Sequence, residues 1–273
     1  MNEPLKKIGE GREAELFLLP DGRVLRLLRS GLPFADERVA AEAAALAAAT
    51  AAGAPAPRLY ETVIREGRPG LVMERVEGPD LLTLVTRRPW LVISVARRTG
   101  RLHAELTAVQ APESLVSLKE RIAWRIRESS AVPPELRDEG LRALAELPDG
   151  DRLCHGDFHP ANVLAGSGRP VVIDWTTAAR GDPAADLART WVLLEFSPLP
   201  PGSSAVARRM AAIGRGLLLH GYARAYLRHS MVDAERLARW TSVRAIERLA
   251  EEVPGERARL LASLGGERQR ART

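Results

Sequence analysis

The sequence predicts an α+β fold in which a small antiparallel sheet comes first and a larger, mostly helical part follows. Three observations predict it. Short apolar runs around residues 16–28 and 59–76 are joined by turn-forming residues at hairpin spacing. Between them an alanine-rich stretch, Asp36 to Gly53, is a helix by propensity. From Leu81 onward apolar residues recur mainly at helical spacing, with a different pattern around 154–174.

The elements follow in order. Leu16 and Leu18 alternate with other residues, Pro20-Asp21-Gly22 makes a turn, and Arg23 to Leu28 returns as a second strand. Asp36 is the expected N-cap of the alanine-rich helix, and Gly53 with Pro55 and Pro57 ends it. Leu59 to Ile64 and Leu71 to Val76 are expected to complete the sheet across a turn from Arg65 to Gly70. Helices are then predicted over Leu91–Leu106, Leu115–Ile126, Leu136–Leu147, Pro183–Phe196, Ala205–Leu227 and Val232–Val253, with a frayed terminus from Gly265. His103 sits on an apolar helix face, where a packed core histidine is the ordinary outcome.

The stretch that departs from helical spacing carries the chemistry. It reads His155-Gly156-Asp157, then Asn162, a turn at Gly166-Ser167-Gly168 between two short apolar runs, then Ile173-Asp174-Trp175. An acid and an amide leave a loop, and a hairpin delivers a second acid. That spacing matches the loop with which kinases place one aspartate at the acceptor hydroxyl and an Asn and an Asp on Mg²⁺. Each residue alone would be an ordinary turn-forming side chain; the set at these spacings is specific. With Asp182-Pro183 and Asp186, the chain resembles the aminoglycoside phosphotransferase-type small-molecule kinases, relatives of choline, fructosamine and macrolide kinases. The resemblance covers most of the chain. It implies a bilobal, protein-kinase-like fold, with residues 1–77 as a small lobe and 78–273 as a helical lobe.

It also implies roles. Asp157 is the expected catalytic residue, and Asn162 and Asp174 the expected Mg²⁺ ligands. His155 braces the loop by bonding backbone near Asp174, and Asp186 ties the loop's amides or serves as a helix N-terminal charge. Gly9 and Gly11, in G-x-G-x-x-A-x-L, form a phosphate loop one glycine short of the usual pattern; a charged surface turn is the plainer reading of the motif alone. Arg26 stands where kinases carry a lysine, keeping the charge but offering a planar fork, and Glu42 is its expected partner. Met73, Glu74 and Val76 belong to the connector that binds adenine through backbone in the resembled family. Cys154, His155, Asp157 and His159 crowd together as a rival zinc set, but adjacent residues rarely converge on one tetrahedral ion.

Only residues 175–185 lie between Asp174 and Asp186, with no A-P-E motif, so the expected acceptor is a small molecule rather than a peptide. Its identity stays open. Asp182 and Glu195 would suit a polycation, although Arg180 and Arg189 nearby oppose one; Trp191, Tyr222, Tyr226 and Trp240 would suit a quaternary amine if they did not pack in the core.

The 40 basic and 35 acidic residues are interspersed, which favours no nucleic-acid partner. The lone Cys154 suits a reducing cytoplasm, MNEPLKKIGEG lacks the apolar core of a signal peptide, and no apolar run approaches the roughly 18 residues of a membrane span. The expected partners are therefore ATP, Mg²⁺ and a small-molecule hydroxyl acceptor, with neither nucleic acid nor membrane. The reading is a phosphotransferase acting on an aminoglycoside-like antibiotic or a metabolite. The alternative, favoured by the altered glycine loop and Arg26, is a nucleotide-binding pseudokinase.

Overall fold

Alternating runs joined by tight turns give an antiparallel sheet, and the computed structural model shows one of five strands in the order β1-β2-β3-β5-β4. Residues 5–11, 13–166, 168–198 and 204–270 are described. The strands are β1 (Lys6–Glu10), β2 (Ala14–Leu18), β3 (Val24–Leu28), β4 (Leu59–Arg65) and β5 (Arg68–Met73). The β2–β3 turn closes on Asp21, whose carboxylate accepts from Arg23 N at 3.0 Å, with Gly22 at φ 85°. β5 starts and ends about three residues earlier than its apolar run suggests. Glu66 (φ 53°) and Gly67 (φ 71°) form a two-residue turn that pairs Arg65 directly with Arg68.

Helix α1 (Ala35–Ala51) packs Glu42 and Leu46 inward and lies against β4 and β5. Its N-cap is not Asp36 but Phe34, held left-handed, and Asp36 sits in the first turn, where its charge faces the helix's positive end. After the connector come α2 (Leu81–Arg87), α3 (Val92–Thr107), α4 (Leu118–Glu128) and α5 (Pro134–Glu146). A strand pair not anticipated from the sequence, β6 (Arg152–Cys154) with β9 (Ala179–Gly181), brackets a shorter hairpin, β7 (Val163–Leu164) and β8 (Val171–Val172). The turn joining that hairpin includes Ser167, which lies outside the described residues.

Helices α6 (Pro183–Phe196), α7 (Ala205–Arg228), α8 (Ala234–Leu249) and α9 (Arg257–Arg270) follow. Two expectations fail here. α8 stops at Leu249, and Glu252 turns left-handed (φ 51°) just beyond it. The stretch from Gly265 continues as helix to Arg270, and residues 271–273 lie outside the described ones. The core runs through the helical part. α6 is buried on nearly every side, its Ala184, Ala185 and Ala188 leaving room for α8 and β6 to pack against it. Phe158, Trp175, Tyr222, Tyr226 and Trp240 fill the space around it, each side chain of this size contributing roughly 1.5–3 kcal/mol by burial. The whole is the α+β, two-lobed arrangement the sequence predicts.

Candidate active site

The sheet side and the helical side meet over a cleft of about 1010 Å³. Its walls come from both: Leu16, Val24 and Met73 from the sheet, Leu164 and Ile173 from the hairpin. Gly11, Arg26, Glu42, Glu74, Val76, Asp157, Asn162 and Asp174 all line it. Gly9 does not; it lies within β1 opposite Leu16. Arg12 of the glycine motif lies outside the described residues.

Antiparallel pairing sets Arg26 at the centre of β3, between Leu16 and Leu71. Its Nη1 reaches Glu42 Oε2 at 2.8 Å, with both side chains largely buried. Burial pushes the Glu42 carboxyl up to about 7, against the pull of Arg26 and with a further push from Asp174. Glu74 closes the end of β5, its N–H donating to Arg58 O at 2.8 Å and its carboxylate accepting from Arg58 N at 3.1 Å.

The loop after β6 is held from beneath. Asp186, in the first turn of α6, accepts from His155 N at 2.6 Å and from Gly156 N at 2.8 Å. His103 Nε2 lies 3.0 Å from the same carboxylate, and its Nδ1 lies 2.5 Å from the Tyr222 hydroxyl. The ring stacks on Phe158 at 4.0 Å, so this packed histidine is also a second support of the loop. Burial would raise Asp186, yet His103 and the loop amides hold it down at about 2. Gly156 is needed as glycine: its φ is +81°, and a Cβ there would fall 2.3 Å from Thr177 O. His155 Nε2 bonds the Ile173 carbonyl at 3.0 Å, joining this loop to the strand that delivers Asp174.

Asn162 Nδ2 donates to Asp157 O at 3.0 Å, which leaves its Oδ1 as a neutral acceptor. Asp174 adopts a left-handed backbone (φ 62°) that costs on the order of 1–3 kcal/mol for a non-glycine residue and exposes its side chain in the cleft. Thr176 Oγ1 donates to Asp174 Oδ1 at 2.8 Å. A neutral oxygen and a charged one, both hard donors, suit Mg²⁺, which takes few protein ligands and completes its shell with phosphate and water. The residues of the rival zinc set go separate ways: Cys154 Sγ contacts Asp182 O at 3.5 Å, His155 turns to Ile173, and His159 Nε2 lies 3.4 Å from Asp157 Oδ2.

Asp157 also meets a residue that sequence reasoning assigned no role at the reacting group. Arg189, one turn after Asp186 on α6 and 5% exposed, places Nη2 3.4 Å from Asp157 Oδ1 and Nη1 2.5 Å from Glu251 Oε1. Burial would raise the Asp157 carboxyl, but His159 and Arg189 together hold it below the ordinary carboxylate range. The i, i+3 spacing of Asp186 and Arg189 was the available signal, since it puts both on one helix face. Arg125, Arg248 and Glu251 continue this wall, tied by Arg125–Glu247 (3.1 Å) and Arg248–Glu256 (2.7 Å) ion pairs.

The candidates for the acceptor are corrected. Asp182 is buried as the N-cap of α6, bonded to Ala184 N, Arg236 and Trp240 Nε1, each within 2.8 Å. Glu195 does not line the cleft, and Tyr222, Tyr226 and Trp240 are core side chains at 1%, 0% and 0% exposure. Trp191 packs edge-on to His220, away from the cleft. No aromatic cage borders the site among these four.

Comparison with known proteins agrees with this fold. The family described as "Phosphotransferase enzyme family" matches residues 4–240. A hydroxyurea phosphotransferase of Kitasatospora aureofaciens is 36% identical over 128 residues, 43% of this chain. The match spans 37% of that curated relative's length. Two solved structures share the fold. An aminoglycoside-3'-phosphotransferase of type VIII superimposes with a TM-score of 0.57 at 22% identity, covering 88% of this chain and 91% of that one. A choline kinase from Cryptosporidium parvum Iowa II does so with a TM-score of 0.58 at 15% identity, covering 98% and 89%.

Proposed function

We propose that this chain, which belongs to the phosphotransferase enzyme family, transfers the γ-phosphate of ATP to a hydroxyl of a small molecule. The observation that carries this reading is the convergence on one cleft of Asp157, Asn162 and Asp174 from the helical side with the Arg26–Glu42 pair from the sheet. The lobe boundary near Glu77 is part of it, with nucleotide between the lobes and adenine against the Glu74–Val76 backbone.

In this reading Asn162 Oδ1 and the Asp174 carboxylate hold Mg²⁺, which neutralises phosphate charge when bound. Arg26, oriented by Glu42, pairs with phosphate oxygens from the opposite wall. Asp157 orients the acceptor hydroxyl and takes its proton as the O–P bond forms. A carboxylate held below its usual range is a weak base, so orientation is its larger contribution and proton capture comes late. Arg189 keeps Asp157 ionised and aimed. The acceptor then lies along Thr177, Arg189, Arg248 and Glu251, a wall in which cations and carboxylates alternate.

The test is ATP consumption across hydroxyl compounds: aminoglycosides, macrolides, choline, sugars, and hydroxyurea, which the relative's name carries. One acceptor that yields stoichiometric ADP and a phosphorylated product is the expected result. Nucleotide should bind more weakly in EDTA and in Asp174→Ala by calorimetry. Metal-independent affinity would remove Asn162 and Asp174 from this role, and tight ATP binding with no acceptor would favour the pseudokinase.

A further inference from the structure

A second concavity, of about 1110 Å³, lies between α3 and α7, with Arg169 and Pro170 of the β7–β8 turn also on its wall, and shares no lining residue with the cleft. The two helices approach closely. A Cβ on Gly100 would fall 2.3 Å from Tyr222 O, and one on Gly221 2.9 Å from Ala96 Cβ. Ala96 meets Gly221, Gly100 meets Tyr222 and Ala225, and Thr107 bonds Tyr226, so the helices run in the same sense.

That shared direction gives the groove two chemically different ends. Beyond the Ala96–Gly221 contact it is lined by Arg97, Arg98 and Arg101 from α3 and by Arg224 and Arg228 from α7. All five are exposed, and none faces a carboxylate at ion-pair distance among the described residues. Arg97 and Arg101, and Arg224 and Arg228, are i, i+4 pairs of like charge, each destabilising its own helix by a few tenths of a kcal/mol. Among the described residues Glu105 is the one acid lining this groove. The cleft is built the opposite way, with Arg189 and Arg248 paired to carboxylates.

One turn before the contact the lining becomes apolar: Ile93 on α3 and Leu217 on α7, with Trp90 beside them at 75% exposure. The apolar face continues up α7 as Ile213, Met210 and Val206, all exposed and spaced 4, 3 and 4 residues apart with Leu217, which is one stripe of a helix.

We propose that the α3–α7 groove and this stripe dock on an anionic lipid surface. The arginines meet headgroup phosphates, the aliphatic side chains enter the acyl boundary, and Trp90 sits between them, the division of labour of an interfacial helix. Charge excludes a second copy as the natural occupant, since a two-fold contact would set five unpaired arginines against five more. A nucleic acid would use the arginines but leaves the aliphatic stripe without a counterpart. No helix among the described residues is long and apolar enough to cross a membrane, and a surface contact needs none. The sequence expectation of no membrane partner rested on the lack of a span and of a signal segment, neither of which bears on surface docking.

The experiment is co-sedimentation of the full chain with vesicles of phosphatidylcholine alone and of an equimolar mixture with phosphatidylglycerol, at low and high salt. Binding to the mixture, lost in neutral vesicles and weakened by salt, is expected. Replacing Arg97, Arg101, Arg224 and Arg228 together by Gln should lower the partition coefficient about 600-fold, at roughly fivefold for each arginine. Ile213→Ser with Leu217→Ser should lower it without changing the salt dependence. These side chains are exposed and outside the cleft, so circular dichroism and nucleotide affinity should match the parent in both variants. Equal binding to both vesicle types, no binding to either, or binding unaffected by the arginine replacements would overturn the proposal. So would an arginine-dependent affinity for poly(U), or dimerisation lost with the apolar variant, in the absence of vesicle binding.

Discussion

The two walls of the cleft are built by different means. On the helical wall the loop from His155 to Asn162 is tied by buried groups: Asp186 takes two of its amides, His103 holds Asp186, and Thr190 bonds the Phe158 carbonyl at 2.7 Å. On the sheet wall the glycine loop is surrounded by exposed ion pairs, Lys7 with Glu10 and Arg29 with Glu10, while the Arg26–Glu42 pair beneath it is buried. Exposed pairs contribute little, about 0–1 kcal/mol, whereas an unsatisfied buried amide costs about 1–3 kcal/mol. In the proposed reading, geometry at the acceptor hydroxyl is therefore fixed and geometry at the phosphates adjustable. Substitutions on the first wall should show in kcat and stability, and those on the second in the KM for nucleotide.

The largest effect tests the fixed wall. Asp157→Asn is nearly isosteric and removes the carboxylate proposed to aim the hydroxyl. Turnover should fall by about 10²–10⁴-fold while nucleotide Kd stays within twofold or so. Full turnover in this variant would end the assignment. Next come two glycines with opposite demands. Gly156→Ala places a Cβ in the left-handed region against Thr177 O and should destabilise the fold by roughly 1–3 kcal/mol in urea unfolding. Gly11→Ala meets nothing closer than Ala14 O at 3.8 Å, so its unfolding midpoint should barely move. Equal losses at both positions would abolish the contrast between the walls.

Arg26→Ala should raise the KM for ATP about ten- to a hundredfold, the value of a charge-assisted contact, with a smaller change for the acceptor. Arg26→Lys should keep much of the activity; steady-state kinetics on both variants decides this. The smallest effect is a pH dependence. The Arg26–Glu42 pair is complete only when Glu42 is ionised, so the KM for ATP should fall by a few-fold as pH rises through about 7, and Glu42→Gln should flatten the profile. Stability runs the other way. Because burial raises the folded-state value above the ordinary 4.5, the contribution of protonated Glu42 is whole below that value and is lost as pH rises through about 7.

The sequence determined the parts whose information is local. Turn chemistry at Asp21-Gly22, propensity in α1, and Pro183 at the start of α6 placed elements to within a few residues, because each depends on neighbours along the chain. The spacing of Asp157, Asn162 and Asp174 was legible for the same reason: one loop and one hairpin carry all three. Where local rules competed, boundaries slipped. Phe34 displaced Asp36 as the cap of α1, and β5 obeyed its turn rather than its apolar run.

What only the tertiary structure decided depends on how distant helices rotate against one another, which no local pattern records. Asp182 looked like a free acid beside the acceptor, yet packing of α8 on α6 turns Arg236 and Trp240 onto it. Arg189 looked like a charge opposing a cationic substrate, and the same packing sets it between Asp157 and Glu251. His103 and Asp186, far apart in sequence, become one support because α3 and α6 meet beneath the loop. Five arginines, separated along the chain, come together on one groove only because close contacts at Gly100 and Gly221 bring α3 and α7 side by side.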